Sequence, residues 1–226
     1  MTTPTPPPPP PPPPAYTPPP PPPPAGAPVP AGASGYPAEL TVETPAKIAN
    51  WRPLVHWLMA IPHFIVLYVL ALVAEVCALI AWFAIVFTGK MPAGLANVIC
   101  MYVRYSSRVG TFVGFLHETY PPFEFDTTAA DPGGYPARVE LRPALEGRNR
   151  LTVGLRILWV IPALILVYIV MIVAAVCWFI GFFAVLFTGK WPEGLRAWVV
   201  KGLRASTRLS AYLFLLTDEY PPNPFN

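Results

Sequence analysis

The block Phe87-Thr88-Gly89-Lys90 returns one hundred positions later as Phe187-Thr188-Gly189-Lys190. The displacement holds from Ile61-Pro62 and Ile161-Pro162 through Tyr68 and Tyr168, Cys77 and Cys177, to Tyr120-Pro121-Pro122 and Tyr220-Pro221-Pro222. Arg104, Ser106 and Arg108 match Arg204, Ser206 and Arg208 in the same way, and Tyr36-Pro37-Ala38 matches Tyr135-Pro136-Ala137 after a one-residue indel. A constant displacement means one module written twice, so the fold has to repeat and the two copies have to pack. The division that follows is a Pro-rich tail over 1–35, a first module over 36–125, a linker over 126–134 and a second module over 135–226.

Each module contains an apolar stretch, Leu54 to Phe87 and Ile157 to Phe187, longer than the roughly 20 residues that cross a bilayer. With 54% hydrophobic and only 12% charged residues, the chain departs from the composition of a soluble domain, where about 25% is charged. Many of its 34 prolines crowd the first thirty positions, a stretch that favours disorder or polyproline II. Fifteen Lys and Arg against twelve Asp and Glu give +3, too even a balance for a nucleic-acid partner. Cys77, Cys100 and Cys177 have neither CxxC pairing nor metal-ligand spacing, which leaves no disulfide framework and no zinc site. The first 35 residues lack the basic start and apolar core of a secretory signal, so the amino end is expected in the cytoplasm.

Within a module the pattern predicts a long apolar helix, a tight turn and a second helix closed by Tyr-Pro-Pro. Gly89 and Gly189 suit a left-handed helix end, Lys90 and Lys190 favour its negative pole, and Pro92 and Pro192 suit the start of the next helix. Pro53 to Ile61, ahead of Pro62, reads as an interfacial piece or a kinked continuation of the long helix. The second helices, Leu95 to Leu116 and Leu195 to Leu216, are long enough to span but carry Arg104, Arg108, Lys201, Arg204 and Arg208. At about 2.5 to 3.5 kcal/mol per charge in mid-membrane these oppose insertion. Two copies entering from the same side need an even number of crossings each, and the basic residues before each apolar run agree with cytoplasmic starts. The expected fold is therefore an all-α integral membrane protein of two parallel helical hairpins. It has four transmembrane helices, or alternatively two spans and two interfacial helices.

Glu75 is the one acid inside the apolar runs, and counting from the turn puts it at the depth of Arg104. Glu75, Arg104, Arg108, Arg204 and Arg208 thus form the candidate intramembrane charge or lipid site, read either as a helix-register pair or as an ion, proton or anionic-lipid ligand set. Gly110 with Gly114, and Ser206 with Ser210, keep the small-residue spacing that lets helices approach closely. Glu39 to Glu43 and Arg138 to Arg142 alternate as short strands, and pairing Glu39 with Arg142 and Glu43 with Arg138 would tie the modules together. P-loop, GxSxG and HExxH patterns are missing, so no catalytic, cofactor-binding or metal residue is assigned. An enzyme would have to build its site from Glu75, His117 and Glu118. The function expected is a non-enzymatic membrane scaffold or accessory subunit whose cytoplasmic tail and linker engage partners, the Pro-rich tail by itself reading either as a solvated spacer or as a ligand for an aromatic groove. The alternative is a small transporter or anionic-lipid binder using Glu75 and the paired arginines.

Ile61-Pro62-His63, Trp82-Phe83-Ala84, the Phe-Thr-Gly-Lys turn with Pro92 and Gly94-Leu95, Arg104, Arg108 and Glu219-Tyr220-Pro221-Pro222 together resemble the bacterial membrane family known as domain of unknown function 4389. The resemblance covers about Trp51 to Phe123 and Arg150 to Phe225. It implies a multi-pass plasma-membrane protein without assigned activity and carries over no catalytic residue. Glu75, and Ala163 where the first module has His63, depart from an equal pair.

Overall fold

The computed structural model describes residues 35–225; the Pro-rich tail expected over 1–35 lies, apart from Gly35, outside them. Seven elements follow in chain order: β1 (Ala38–Val42), α1 (Arg52–Thr88), α2 (Ala93–Val113), β2 (Ala137–Leu141), α3 (Arg150–Gly154), α4 (Arg156–Thr188) and α5 (Glu193–Leu213). α1 runs unbroken through Pro62 and α4 through Pro162, so the segment before each proline is a continuation of the long helix. At 37 residues, α1 is about 56 Å long. α1 and α4 are long and apolar enough to cross a membrane, and they are the two such helices among the described residues.

Both long helices end as their sequence predicts. Gly89 at φ 74° and Gly189 at φ 67° occupy the left-handed region, and their N–H groups bond back to Ile85 and Val185. The chain then does not cross directly to the next helix. It runs back along the helix it has just left, so that the Trp191 ring lies against Gly181, where a Cβ would fall 2.0 Å from it. α2 consequently meets α1 well down its length: His63 faces Tyr105, and His56 faces Phe112.

The copies are antiparallel, which replaces the parallel hairpins expected from the sequence. The Arg148 N–H donates to the Gly89 carbonyl at 3.2 Å, and the Ile48 N–H donates to the Gly189 carbonyl at 2.8 Å. Each module's leading segment therefore holds the other module's turn. Asn50 reaches the Leu186 carbonyl and Trp82 the Val153 carbonyl, extending the opposed run of α1 and the α3–α4 segment. Positive-inside counting could not find this, because it assumes that the two modules never meet end to start.

A pseudo-twofold axis relates the halves. Ser107 and Thr207, equivalent in the repeat, bond to each other at 2.9 Å where α2 and α5 cross. Leu40 and Val139, also equivalent, face each other at the centre of an antiparallel ribbon of β1 and β2. The ribbon adds a two-stranded sheet to the expected all-α fold, but in a register shifted by two. Glu39 stands opposite Glu140, not Arg142, although Glu43 still lies 3.9 Å from Arg138. A two-residue shift keeps the same faces inward, so face matching does not choose between the registers. The arginines of α5, which claim Glu39, do. β1 packs on α5 and β2 on α2, and the cores of both modules converge on Leu40, Val139, Ile99 and Val103, all fully buried.

Candidate functional site: an apolar face backed by arginine clusters

The short β1 strand delivers Glu39 to α5, where Arg208 Nη2 donates to Oε2 at 2.7 Å and Arg204 Nε lies 3.1 Å from Oε1. Arg204 Nε also contacts the Leu40 carbonyl. In the other half the position equivalent to Glu39 is Arg138, which cannot serve, and the end of the first module and the linker supply the acids instead. Arg108 donates to Glu124 at 2.7 Å and to Asp131 at 2.9 Å, with its side chain 3% exposed. The second Asp131 oxygen accepts from the Val139 N–H and locks the linker to the ribbon. Arg104 donates to the carbonyls of Thr128 and Ala129.

Arg104, Arg108, Arg204 and Arg208 therefore form two clusters in which charge meets charge or carbonyl, with Arg204 and Glu124 at their solvent-facing sides. Glu75 joins neither. It is exposed on α1 and makes no ion pair among the described residues. Depth counting failed because the turn runs back along the helix: Arg104 lies near the level of His63, roughly 16 Å along α1 from Glu75. His117 and Glu118 do not converge on Glu75 either. His117 bonds to Thr111, and Glu118 accepts from the Ala49 N–H while its carbonyl accepts from Arg52.

A third cluster went unnoticed in the sequence. Asp218 accepts from Arg148 at 2.7 and 2.8 Å and from Arg156 at 2.6 Å, and the two arginines also donate to the carbonyls of Leu215, Tyr212 and Thr217. Burial pushes the Asp218 carboxyl up, but the hydrogen bonds and charge of Arg148, the Asn149 N–H and the charge of Arg156 together hold it below the ordinary carboxylate range. The signal was the acid that recurs before each Tyr-Pro-Pro, Glu118 and Asp218. His117, buried beside Tyr135, is pulled down to about 4, first by burial and then by the nearby His56, against a hydrogen bond with the Thr119 backbone.

The opposite side of the molecule is apolar. Along α1, Leu54, Trp57, Leu58, Ile61, Ile65 and Tyr68 begin an exposed face that continues to Phe87, and α4 repeats it from Ile157 to Phe187. Between α1 and α4, over a floor of α2 and α5, lies a groove of about 410 Å³. Phe64, Met171, Ala175, Trp178 and Gly110 line it, with Ser106 as the one side-chain hydroxyl. Gly110 also sits close to Leu203 of α5, so its expected close-approach role falls between the modules. Among the described residues no cluster of three or more His, Cys, Asp or Glu is arranged to hold a metal.

No match is found among curated proteins or among solved structures. A family model described as a domain of unknown function, DUF4389, matches residues 50–124 and again 150–226, two stretches that take in the helices of each half and leave out the strands of the ribbon. The chain belongs to the DUF4389 family and carries its domain twice.

Proposed function

We propose that the protein is a non-enzymatic membrane scaffold, anchored by the apolar face of α1 and α4 and presenting the ribbon, the linker and the Pro-rich segment to partners in water. The observation that carries this reading is a division of labour between two sides. Apolar side chains stay exposed along α1 and α4 over their whole length, far beyond the few hundred Å² that a soluble monomer leaves uncovered. The arginines behind them are engaged by carboxylates and carbonyls of the same chain, which supports a structural role for those charges. A groove walled by hydrocarbon supports no ion path, and Glu75 stands outside it.

The test is fractionation of the full chain together with flux in reconstituted vesicles. A scaffold stays with the membrane after an alkaline carbonate wash, and the wild type and Glu75→Gln both leave proton and ion flux at the level of empty vesicles. Release by carbonate overturns the membrane anchor. Flux that Glu75→Gln abolishes overturns the scaffold in favour of a transporter.

A further inference from the structure

α1 and α4 run antiparallel, and Tyr68 and Tyr168 stand midway between the contacts that join Gly89 to Arg148 and Ile48 to Gly189. The pseudo-twofold axis passes through this midpoint. Beyond α2 and α5 it passes between Leu40 and Val139 of the ribbon. Around that ribbon Glu43, Arg138 and Arg142 are exposed, while side chains meet its outer edges, Arg204 at the Leu40 carbonyl and Asp131 at the Val139 N–H.

A long-helix pair that crossed the bilayer would set its own midpoint, and the ribbon with it, at the centre of the hydrocarbon. Solvent-exposed charged side chains such as Glu43, Arg138 and Arg142 are costly at that depth. Length argues the same way. The exposed apolar residues of α1 extend from Leu54 to Phe87, about 50 Å, so fitting them to a core of about 30 Å would need a tilt beyond the range of about 0–40° seen for spanning helices.

We propose that α1 and α4 lie in the plane of the membrane, sunk by their shared apolar face into one leaflet of an anionic bilayer, with α2, α5 and the ribbon on the aqueous side. This rests on the membrane anchor argued above and adds its orientation. The charges fit such a partner. Arg150 lies against Gly89 beside Lys90, and Lys47 lies against Gly189 beside Lys190, so cations mark both ends of the long-helix layer. Exposed Trp51, Trp57 and Trp159 stand near the starts of α1 and α4. In-plane, all of these reach one headgroup level, where Lys and Arg meet anionic lipid and Trp rings are favoured. Acyl chains of that leaflet fill the groove between α1 and α4.

The experiment uses the full chain with Cys77, Cys100 and Cys177 replaced by Ala and single cysteines reintroduced. Spin labels at Leu54, Tyr68 and Phe87, read in phosphatidylglycerol-containing vesicles, should report one common depth. In intact cells, cysteines at Ala93, Ala130 and Glu193 should respond alike to a membrane-impermeant maleimide. A depth profile deepest at Tyr68 and shallow at both ends, or opposite responses at Ala93 and Glu193, overturns the in-plane orientation and leaves the anchor standing. Failure of the chain to float with vesicles overturns the anchor and the orientation together. Should the cysteine variants fold poorly, a hydrophobic carbene probe on the wild-type chain decides. Labelling along the whole exposed face of α1 and α4 with none on β1 and β2 supports the proposal, and labelling of the ribbon overturns it.

Discussion

Asp218 holds two guanidinium groups whose side chains are nearly inaccessible, so removing it strands two buried charges at once. Asp218→Ala should cost about 3–5 kcal/mol, the usual penalty for breaking a buried pair from one side. Denaturant titration in detergent checks the value. His117 gives the fold a pH dependence. Its folded pKa of about 4 lies below the ordinary 6.5, so the unfolded chain takes up a proton first as pH falls. Stability is then full above pH 6.5 and is lost between 6.5 and 4, by up to about 3 kcal/mol. His117→Gln should flatten that slope, read as Tm against pH. Little of this was legible beforehand. The recurring Arg104, Arg108, Arg204 and Arg208 were plain from the repeat, but their acids come from the ribbon and from the stretch after α2, and the arginines held by Asp218 do not recur, so only folding brings these groups together.

At the scale of elements, the two hairpins solve the same contacts with different residues. Beneath the turn, Gly181 and Trp191 of the second module answer Ala81 and Met91 of the first. Gly181→Ala alone drives a methyl into the indole and should cost at least about 1–3 kcal/mol. The double change Gly181→Ala with Trp191→Met copies the first module and should recover most of it in a thermal melt. The His63 and Tyr105 pair, bonded at 2.6 Å, is likewise answered by Ala163 and Ala205. The loss of His63 from the second copy, visible in sequence as an isolated departure, is thus half of a paired change. In the ribbon, Glu43→Arg meets only an exposed partner and should be near neutral, whereas Glu39→Arg confronts Arg204 and Arg208 and should destabilise strongly. Chemical denaturation of the two variants side by side separates these cases. Helix existence, the glycine turns and the strands were all readable from local pattern. Register and helix depth were not, because they depend on where the chain runs after Gly89 and Gly189.

For the whole molecule, the duplication was the most legible fact and its geometry the least. A repeat fixes that two equal units must pack, but a parallel and an antiparallel pair give the same hydropathy plot. What decides is contact between Arg148 and Gly89 and between Ile48 and Gly189, which no periodicity announces. Because each half completes the other, a chain cut between Gly133 and Gly134, both in open space, should yield halves that resist protease when co-expressed and are degraded when made singly. Co-purification from cells producing both pieces checks this. The same reciprocal hold has a mechanical consequence. A machine that alternates between two openings needs one half to rock against the other about a free end, but here both ends are latched and a bonded pair, Ser107 and Thr207, sits on the pivot. Parting the halves would mean undoing both latches, an arrangement closer to a rivet than to a hinge.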